Sequence, residues 1–267
     1  KVPHVEIDPA EIGKNVAPNC YVNGDLKYVL AELNKALAQE SHPEWMAQVE
    51  EWEKTYALNM KPIHEADEVL PCDVIRTLNA LAGDNAIITT EVGQHQMWTA
   101  QFYDFTHPRS FASSGGLGTM GYGLGAAIGA KVGNPDKYVI NIAGDGSFFM
   151  NCNELSTLAK HGIPVIELVF TNNVLGMVRQ WQRIFYGKRF SQTDIDRGTD
   201  MMKLAEAFGI EGVRITKKDE IEAGLKKALA CGRPCLVECV IDKDVNVLPM
   251  VAPGGDVLDP IMEISLD

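Results

Sequence analysis

Lys137-Tyr138-Val139-Ile140-Asn141-Ile142-Ala143 runs straight into Gly144-Asp145-Gly146-Ser147, and Pro164-Val165-Ile166-Glu167-Leu168-Val169-Phe170 runs into Thr171-Asn172-Asn173. Both runs are short, apolar and rich in β-branched residues, and both stop at small polar residues, which is the pattern of strands ending in loops. The 25 residues between Gly146 and Asn172 leave room for a helix of about four turns, predicted over Phe148 to His161, and for the return strand. One βαβ unit is therefore predicted, with oxygen-bearing side chains at the carboxyl ends of both strands.

Those side chains suit a hard divalent cation such as Mg²⁺, which takes carboxylate, amide and carbonyl oxygens and keeps positions open for phosphate. Asp145 and Asn172 are the candidate ligands. Gly144 and Gly146 are expected to let the backbone approach a ligand closely, and the helix beginning near Ser147 to aim its free N–H groups at an anion. A metal-bound diphosphate is the natural guest. A lone Gly-Asp-Gly also serves as a tight turn before a helix; strand, G-D-G, helix, strand and N-N in this order is the more demanding pattern.

Around this unit the chain alternates. Helices are predicted over Ala66 to Ala82, Gly118 to Val132, Met201 to Phe208 and Lys218 to Ala230, and strands over Ala86 to Glu91, Gly212 to Ile215 and Leu236 to Ile241. That order predicts an α/β fold, a doubly wound, mostly parallel sheet with helices on both faces and ligands beyond the carboxyl ends of its strands. Upstream, a strand over Lys1 to Asp8, a turn at Asp8-Pro9 and a helix from Asp25 to Leu37 read as the tail of another α/β domain. Ser41-His42-Pro43-Glu44 then opens a helical linker whose Trp45, Val49 and Trp52 fall on one stripe. The expected organisation is residues 1–40 as that tail, 41–65 as linker, 66–245 as the ligand-binding domain and 246–267 as a C-terminal tail.

With 267 residues, 46% of them apolar, the chain can bury one large core or a domain plus part of another. A net charge of −12 without a Lys/Arg block argues against nucleic acid or an anionic membrane surface as partner. No run approaches the ~18 apolar residues of a membrane-spanning helix. Because the opening residues already read as a strand, the chain is expected to begin inside a longer protein. Cys231, Cys235 and Cys239 would align on a helix as a metal or redox cluster, but Gly232 and Pro234 break that helix and Leu236 to Ile241 reads as β. Reduced packing cysteines are expected instead, and with them a cytoplasmic location, a plastid being the alternative.

Three further stretches carry chemistry. Val92-Gly93-Gln94-His95-Gln96-Met97-Trp98 follows the Ala86 to Glu91 strand, so Gly93, Gln94 and His95 could donate to phosphate at the edge that holds Asp145, although His95 also reads as a surface residue at a helix start. Ser113-Ser114-Gly115-Gly116-Leu117-Gly118-Thr119-Met120-Gly121 contains the G-x-G-x-x-G dinucleotide fingerprint. That match is weak, since no strong strand ends directly at it and no acidic residue follows about twenty positions later. Gly121, Gly125 and Gly129 are expected to let the helix lie close on the sheet. After Asn173, Met177 and Trp181 fall on one face of a short helix and would form an apolar wall.

Glu91-Val92-Gly93-Gln94-His95-Gln96-Met97-Trp98, Gly115-Gly116-Leu117-Gly118-Thr119-Met120-Gly121, the G-D-G to N-N unit and Gly176-Met177-Val178-Arg179-Gln180-Trp181-Gln182 together resemble the C-terminal half of the large, catalytic subunits of the acetolactate synthase family, thiamine diphosphate-dependent enzymes. The resemblance covers essentially the whole chain. It implies Mg²⁺ on Asp145, Asn172 and the Val174 carbonyl, and thiamine diphosphate held by Val92, Gly93, Gln94, His95, Gly144, Gly146, Ser147, Leu175, Gly176 and Met177. It further implies that Gly118 and Met120 hold the aminopyrimidine, with the Met120 side chain between the two rings of a bent cofactor. Met177 and Trp181 would line the acceptor pocket, and Glu6, Ile7, Asp25 and Leu26 would touch part of an FAD.

The implied activity is decarboxylation of pyruvate and transfer of the two-carbon unit to pyruvate or 2-ketobutyrate, the first common step to the branched-chain amino acids. The implied partners are an N-terminal domain of the same family, a homodimer or tetramer, and a small regulatory subunit. In that family the glutamate that activates the pyrimidine ring lies in the N-terminal domain, so no catalytic residue is expected here and the chain alone is expected not to turn over. Pyruvate oxidase and glyoxylate carboligase types, a non-catalytic cofactor-binding module and a nicotinamide-binding domain are the competing readings.

Overall fold

Pro71 and Gly83 show how local chemistry sets an element: Pro71 occupies the first helical position, Gly83 takes φ +46° at the end, and the helix between them, Pro71–Ala82, buries Val74, Ile75 and Leu78. The computed structural model describes residues 1–264 and divides at Ala57/Leu58 into two compact units.

In the first unit β1 (Pro3–Glu6) pairs in parallel with β2 (Cys20–Asn23), followed by α1 (Leu26–Ala36) and α2 (Pro43–Thr55). The β2 strand is not anticipated from sequence, because four residues between polar clusters show no periodicity. Asp25 caps α1 by accepting the Lys27 N–H at 2.8 Å. Parallel pairing sets Glu6-Ile7 at the carboxyl end of β1 and Asp25-Leu26 just beyond that of β2. Neither helix has a fully buried residue, and Trp45 and Trp52 of the α2 stripe are 68% and 53% exposed.

The second unit continues with α3 (Pro71–Ala82), β3 (Ala86–Thr90), α4 (Gln94–Phe102), β4 (Phe111–Ser113), α5 (Gly123–Gly133), β5 (Tyr138–Gly144), α6 (Asp145–Phe148), α7 (Leu155–His161), β6 (Val165–Thr171), α8 (Gly176–Phe185), α9 (Met201–Phe208), β7 (Glu211–Ile215), α10 (Ile221–Ala230) and β8 (Cys235–Val240). Its six strands are all parallel, in the order β4-β3-β5-β6-β8-β7. Side chains alternate across the sheet. Ile140, Ile142, Ile166, Leu168, Phe170 and Val237 enter the core covered by α3, α4 and α10; Val139, Ala143, Val165, Val169 and Leu236 enter the core of α5, α7 and α9.

On that second face the register aligns Thr89, Asn141 and Glu167 across three strands. The Thr89 hydroxyl donates to Asn141 Oδ1 at 2.9 Å, and Asn141 Nδ2 donates to both Glu167 oxygens at 2.9 Å. Glu167 has no exposed surface, and burial pushes its carboxyl well above the ordinary carboxylate range.

Four sequence expectations are corrected. The helix predicted from Ala66 starts at Pro71, because the residue before a proline is pushed out of the helical region. The single helix predicted over Phe148 to His161 is broken into α6, a 3₁₀ turn at Cys152–Glu154 and α7, with Asn151 out of helical geometry and its Nδ2 donating to the Gly121 carbonyl. The helix predicted from Gly118 begins at Gly123, since Gly118 and Gly121 take φ +70° and +87°. Gly125 and Gly129 are exposed with open space around them; the close approach is made at Gly123, where a Cβ would lie 2.7 Å from Glu91 N and Thr90 C. Gly123→Ala should therefore cost about 3 kcal/mol, whereas Gly125→Ala should be neutral or stabilise by up to ~1 kcal/mol, a contrast measurable by urea unfolding.

Candidate functional site

Because β3, β5 and β6 are neighbours and parallel, the residues after Thr90, Gly144 and Thr171 converge on one edge of the sheet. They line an open cavity of about 230 Å³, bordered also by Met120 and the first turn of α8. Val92, Gly93, Gln94, His95, Met120, Gly144, Asp145, Gly146, Ser147, Asn172, Val174, Leu175, Gly176 and Met177 all line it. Gly118 does not. Trp98 and Phe170, which the sequence offered only as apolar residues, form its floor as an edge-to-face pair with ring centroids 5.9 Å apart.

Asp145 is 4% exposed, and each of its oxygens accepts one backbone N–H: Oδ1 from Gly146 at 2.9 Å and Oδ2 from Asn173 at 2.7 Å. Asn173 reaches that position by taking φ +58°, which asparagine tolerates better than most residues. Burial pushes the Asp145 carboxyl up to about 6 against the pull of those N–H groups. Asn172 Oδ1 accepts the Val174 N–H at 3.1 Å. A bridge pairs Val174 with Asp194 through the Asn173 carbonyl and the Leu175 N–H, so Val174's own carbonyl takes no part in it.

One carboxylate, one amide oxygen and one backbone carbonyl form an incomplete donor set for Mg²⁺, suited to a cation that keeps ligand oxygens from a phosphate. Among the described residues no group of three His, Cys, Asp or Glu is placed to hold a metal. Cys235 and Cys239 are buried in β8 and Cys231 ends α10; burial pushes the Cys235 thiol up to about 12.

His95 is not a surface residue. It is 4% exposed, its Nε2 has no partner, and burial pulls its pKa down to about 3 against a hydrogen bond to the Glu91 carbonyl. The glycines beside it serve the ring more than the ligand: a Cβ on Gly144 would lie 2.8 Å from His95 Nδ1, and one on Gly93 2.9 Å from its Cε1. A Cβ on Gly146 would meet Leu175 and Ile195. At Gly144 and Gly146, which both line the cavity, the space a Cβ would need is also taken by side chains of the chain itself. Gln94 is likewise buried, its Nε2 donating to Gln180 Oε1 at 2.9 Å and to the Val245 carbonyl at 3.1 Å, while its Oε1 has no partner. Both orphaned atoms are acceptors in this state, because Gln94 spends its Nε2 donors inside the chain and a neutral His95 that donates to the Glu91 carbonyl presents a lone pair at Nε2; the side-chain donation to phosphate expected of Gln94 and His95 is therefore not available here.

The glycine-dense loop follows β4, a three-residue strand at the edge of the sheet. Three of its N–H groups are spent inside the chain and not offered to a pyrophosphate: Gly118 donates to the Ser114 carbonyl, Thr119 to Ser114 Oγ and Gly121 to Glu91 Oε2. Glu91, which the sequence marked only as the end of a strand, is 1% exposed and also accepts the Leu124 N–H at 3.1 Å.

Met177 borders a second cavity of about 550 Å³ with Val178, Trp181, Gln182, Tyr186 and Arg189, so α8 separates two spaces. Trp181, 37% exposed, faces only this second one. The helix is tied down by Gln180, which accepts the Val247 N–H, and by Arg179 and Arg183, both paired with Asp244.

A parallel sheet whose βα loops bring an Asp, an Asn and phosphate-sized space to one edge defines a diphosphate cofactor domain. Residues 91–239 match the family model of the thiamine pyrophosphate enzyme, C-terminal TPP binding domain, and the chain belongs to that family; its cofactor is thiamine diphosphate. More particularly, the chain is 42% identical to the probable acetolactate synthase large subunit of Methanococcus aeolicus, aligned over 98% of this chain and 47% of that protein. It is 44% identical to the same-named protein of Methanocaldococcus jannaschii, over 100% and 46%. With the mitochondrial acetolactate synthase catalytic subunit of Saccharomyces cerevisiae it is also 44% identical, over 98% and 38%. The chain spans somewhat under half the length of these relatives.

The His95 geometry has a pH signature. Its pKa is depressed in the fold, so the unfolded chain binds more protons between about 6.5 and about 3, and stability present above pH 6.5 is lost as pH falls through that window. Burial raises the Asp145 carboxyl and so contributes the opposite slope over part of this range; the difference in urea-unfolding stability between the chain and His95→Gln should therefore move in favour of the variant as pH falls from 7 to 5.

Proposed function

We propose that this chain is the cofactor-binding half of an acetolactate synthase large subunit, whose parent decarboxylates pyruvate and joins the two-carbon unit to pyruvate or 2-ketobutyrate. Asp145, Asn172 and the Val174 carbonyl would hold Mg²⁺, and Gly93, Gln94, His95, Gly146 and Ser147 would surround the diphosphate. Met120 would lie at the ring end of the cavity. The bound cofactor supplies an electron sink for loss of CO₂ from a 2-keto acid. The chain's own residues would fix that group, keep His95 neutral by burial and present an apolar surface made by Trp98 and Phe170.

The observation that carries this reading is the convergence of Asp145, Gly146, Ser147 and Asn172, from two neighbouring parallel strands, on one cavity at the carboxyl edge of the sheet. Acetolactate synthase is favoured over other members of the family by the relatives' names and by Met177 and Trp181 on one face of α8, where they would line the acceptor pocket. The parent's remaining features are part of the proposal: an N-terminal domain supplying the activating glutamate, a dimer or tetramer, a regulatory subunit, and FAD touching Glu6, Ile7, Asp25 and Leu26. The six cysteines, all free, suit a reducing compartment such as the cytoplasm or a plastid stroma. No helix among the described residues is long and apolar enough to cross a membrane.

Calorimetric titration with thiamine diphosphate should show binding with Mg²⁺ and none with EDTA. Asp145→Ala should weaken it at least about tenfold, since even changes behind a metal ligand cost ~10–100-fold. Mg²⁺-independent binding, or an unaltered variant, would sink the metal-diphosphate assignment.

A further inference from the structure

Resting on the thiamine diphosphate reading, we propose that Glu91 is a positioning residue: its buried carboxylate locks the glycine loop that carries Gly118 and Met120 to the strand that carries Gly93, Gln94 and His95, and so fixes the spacing between the two ends of the cofactor site.

Glu91 stands between the last residue of β3 and Val92, and its own N–H donates to the Ile142 carbonyl of β5 at 3.1 Å, so its main chain belongs to the rigid sheet. Its side chain turns away from the cavity. Oε2 accepts the Gly121 N–H at 2.5 Å and Oε1 the Leu124 N–H at 3.1 Å, both at the start of the 11-residue helix α5. Gly121 directly follows Met120, and its φ of +87° leaves the loop without the helical hydrogen bonds that would otherwise hold it. The same residue's carbonyl accepts Asn151 Nδ2 at 3.2 Å, from the segment just beyond Asp145–Phe148. One glycine is therefore held between the wall that ends in His95 and the segment that follows Asp145. Gly123 completes the lock: its lack of a Cβ lets the first turn of α5 lie against Glu91 N and Thr90 C.

A carboxylate suits this place because both of its oxygens accept, and both face N–H donors at a helix start where negative charge is favoured. Burial raises the Glu91 carboxyl and the backbone N–H groups of Leu124 and Gly121 pull it back. A glutamine would turn an NH₂ group toward one of those donors, keeping the shape and breaking one half of the lock.

The experiment compares the chain with Glu91→Gln and Glu91→Asp by titration with two probes, inorganic pyrophosphate and thiamine diphosphate, each with Mg²⁺. Pyrophosphate reads the diphosphate end alone; thiamine diphosphate reads both ends. Glu91→Gln should leave pyrophosphate affinity within about twofold and lower thiamine diphosphate affinity about tenfold, the equivalent of one charge-assisted hydrogen bond. Amide hydrogen exchange should speed up at Gly121 and Leu124 and stay unchanged in β5 and β6. Glu91→Asp, which keeps the charge with a shorter reach, should fall between, and it carries the test if Glu91→Gln does not fold. Equal weakening of both probes, or no change in either, would overturn the positioning role. Wild-type chain that binds neither probe would instead remove the thiamine diphosphate reading, and this inference with it.

Discussion

Parallel pairing of β3, β5 and β6 is the constraint on which the rest of the larger unit depends. Strands that run the same way must be joined by crossovers, so both faces of the sheet are covered and the strands are apolar on both sides. The same constraint delivers three chain ends, after Thr90, Gly144 and Thr171, to one edge. Asp145, Asn172 and His95 lie close together for that reason alone, although His95 and Asn172 are far apart in sequence.

Close packing then turns the edge into a defined cavity. His95 is clamped between Gly93 and Gly144, Gln94 lies where any side chain at Gly176 would collide with it, and α5 rests on the sheet at Gly123. In each case the glycine's smallness is used by another part of the chain. The polar atoms follow the same economy: Thr89, Asn141 and Glu167 satisfy one another within the sheet, Glu91 satisfies the start of α5, and the buried atoms of the wall left over are those of His95 and Gln94 facing the cavity.

Much of this was legible in the sequence, where strands with β-branched runs declared themselves and the G-D-G and N-N ends marked the edge. What failed to show were features with no local signature. The three-residue β4 and four-residue β2 are too short for a period of two to register. The break after α6 depends on Asn151 reaching Gly121, thirty residues back. Glycine spacing suggested Gly125 and Gly129 as contact points, but a repeat of four along a helix does not say which face meets the sheet. His95 read equally well as exposed because its burial comes from glycines on two different strand ends.

The sequence by itself determined the strand and helix types, their parallel order, the oxygen-bearing side chains that end two neighbouring strands and the family resemblance, since propensity, hydrophobic pattern and residue chemistry are local properties. Tertiary structure alone decided that Glu91 faces the start of α5, that His95 is buried and neutral, that Gly118 stays out of the cavity and that Met177 stands between two spaces while Trp181 faces one. Those facts depend on register and on which helix face lies against the sheet. Distances between residues far apart in the chain are set by packing, and no local pattern encodes them.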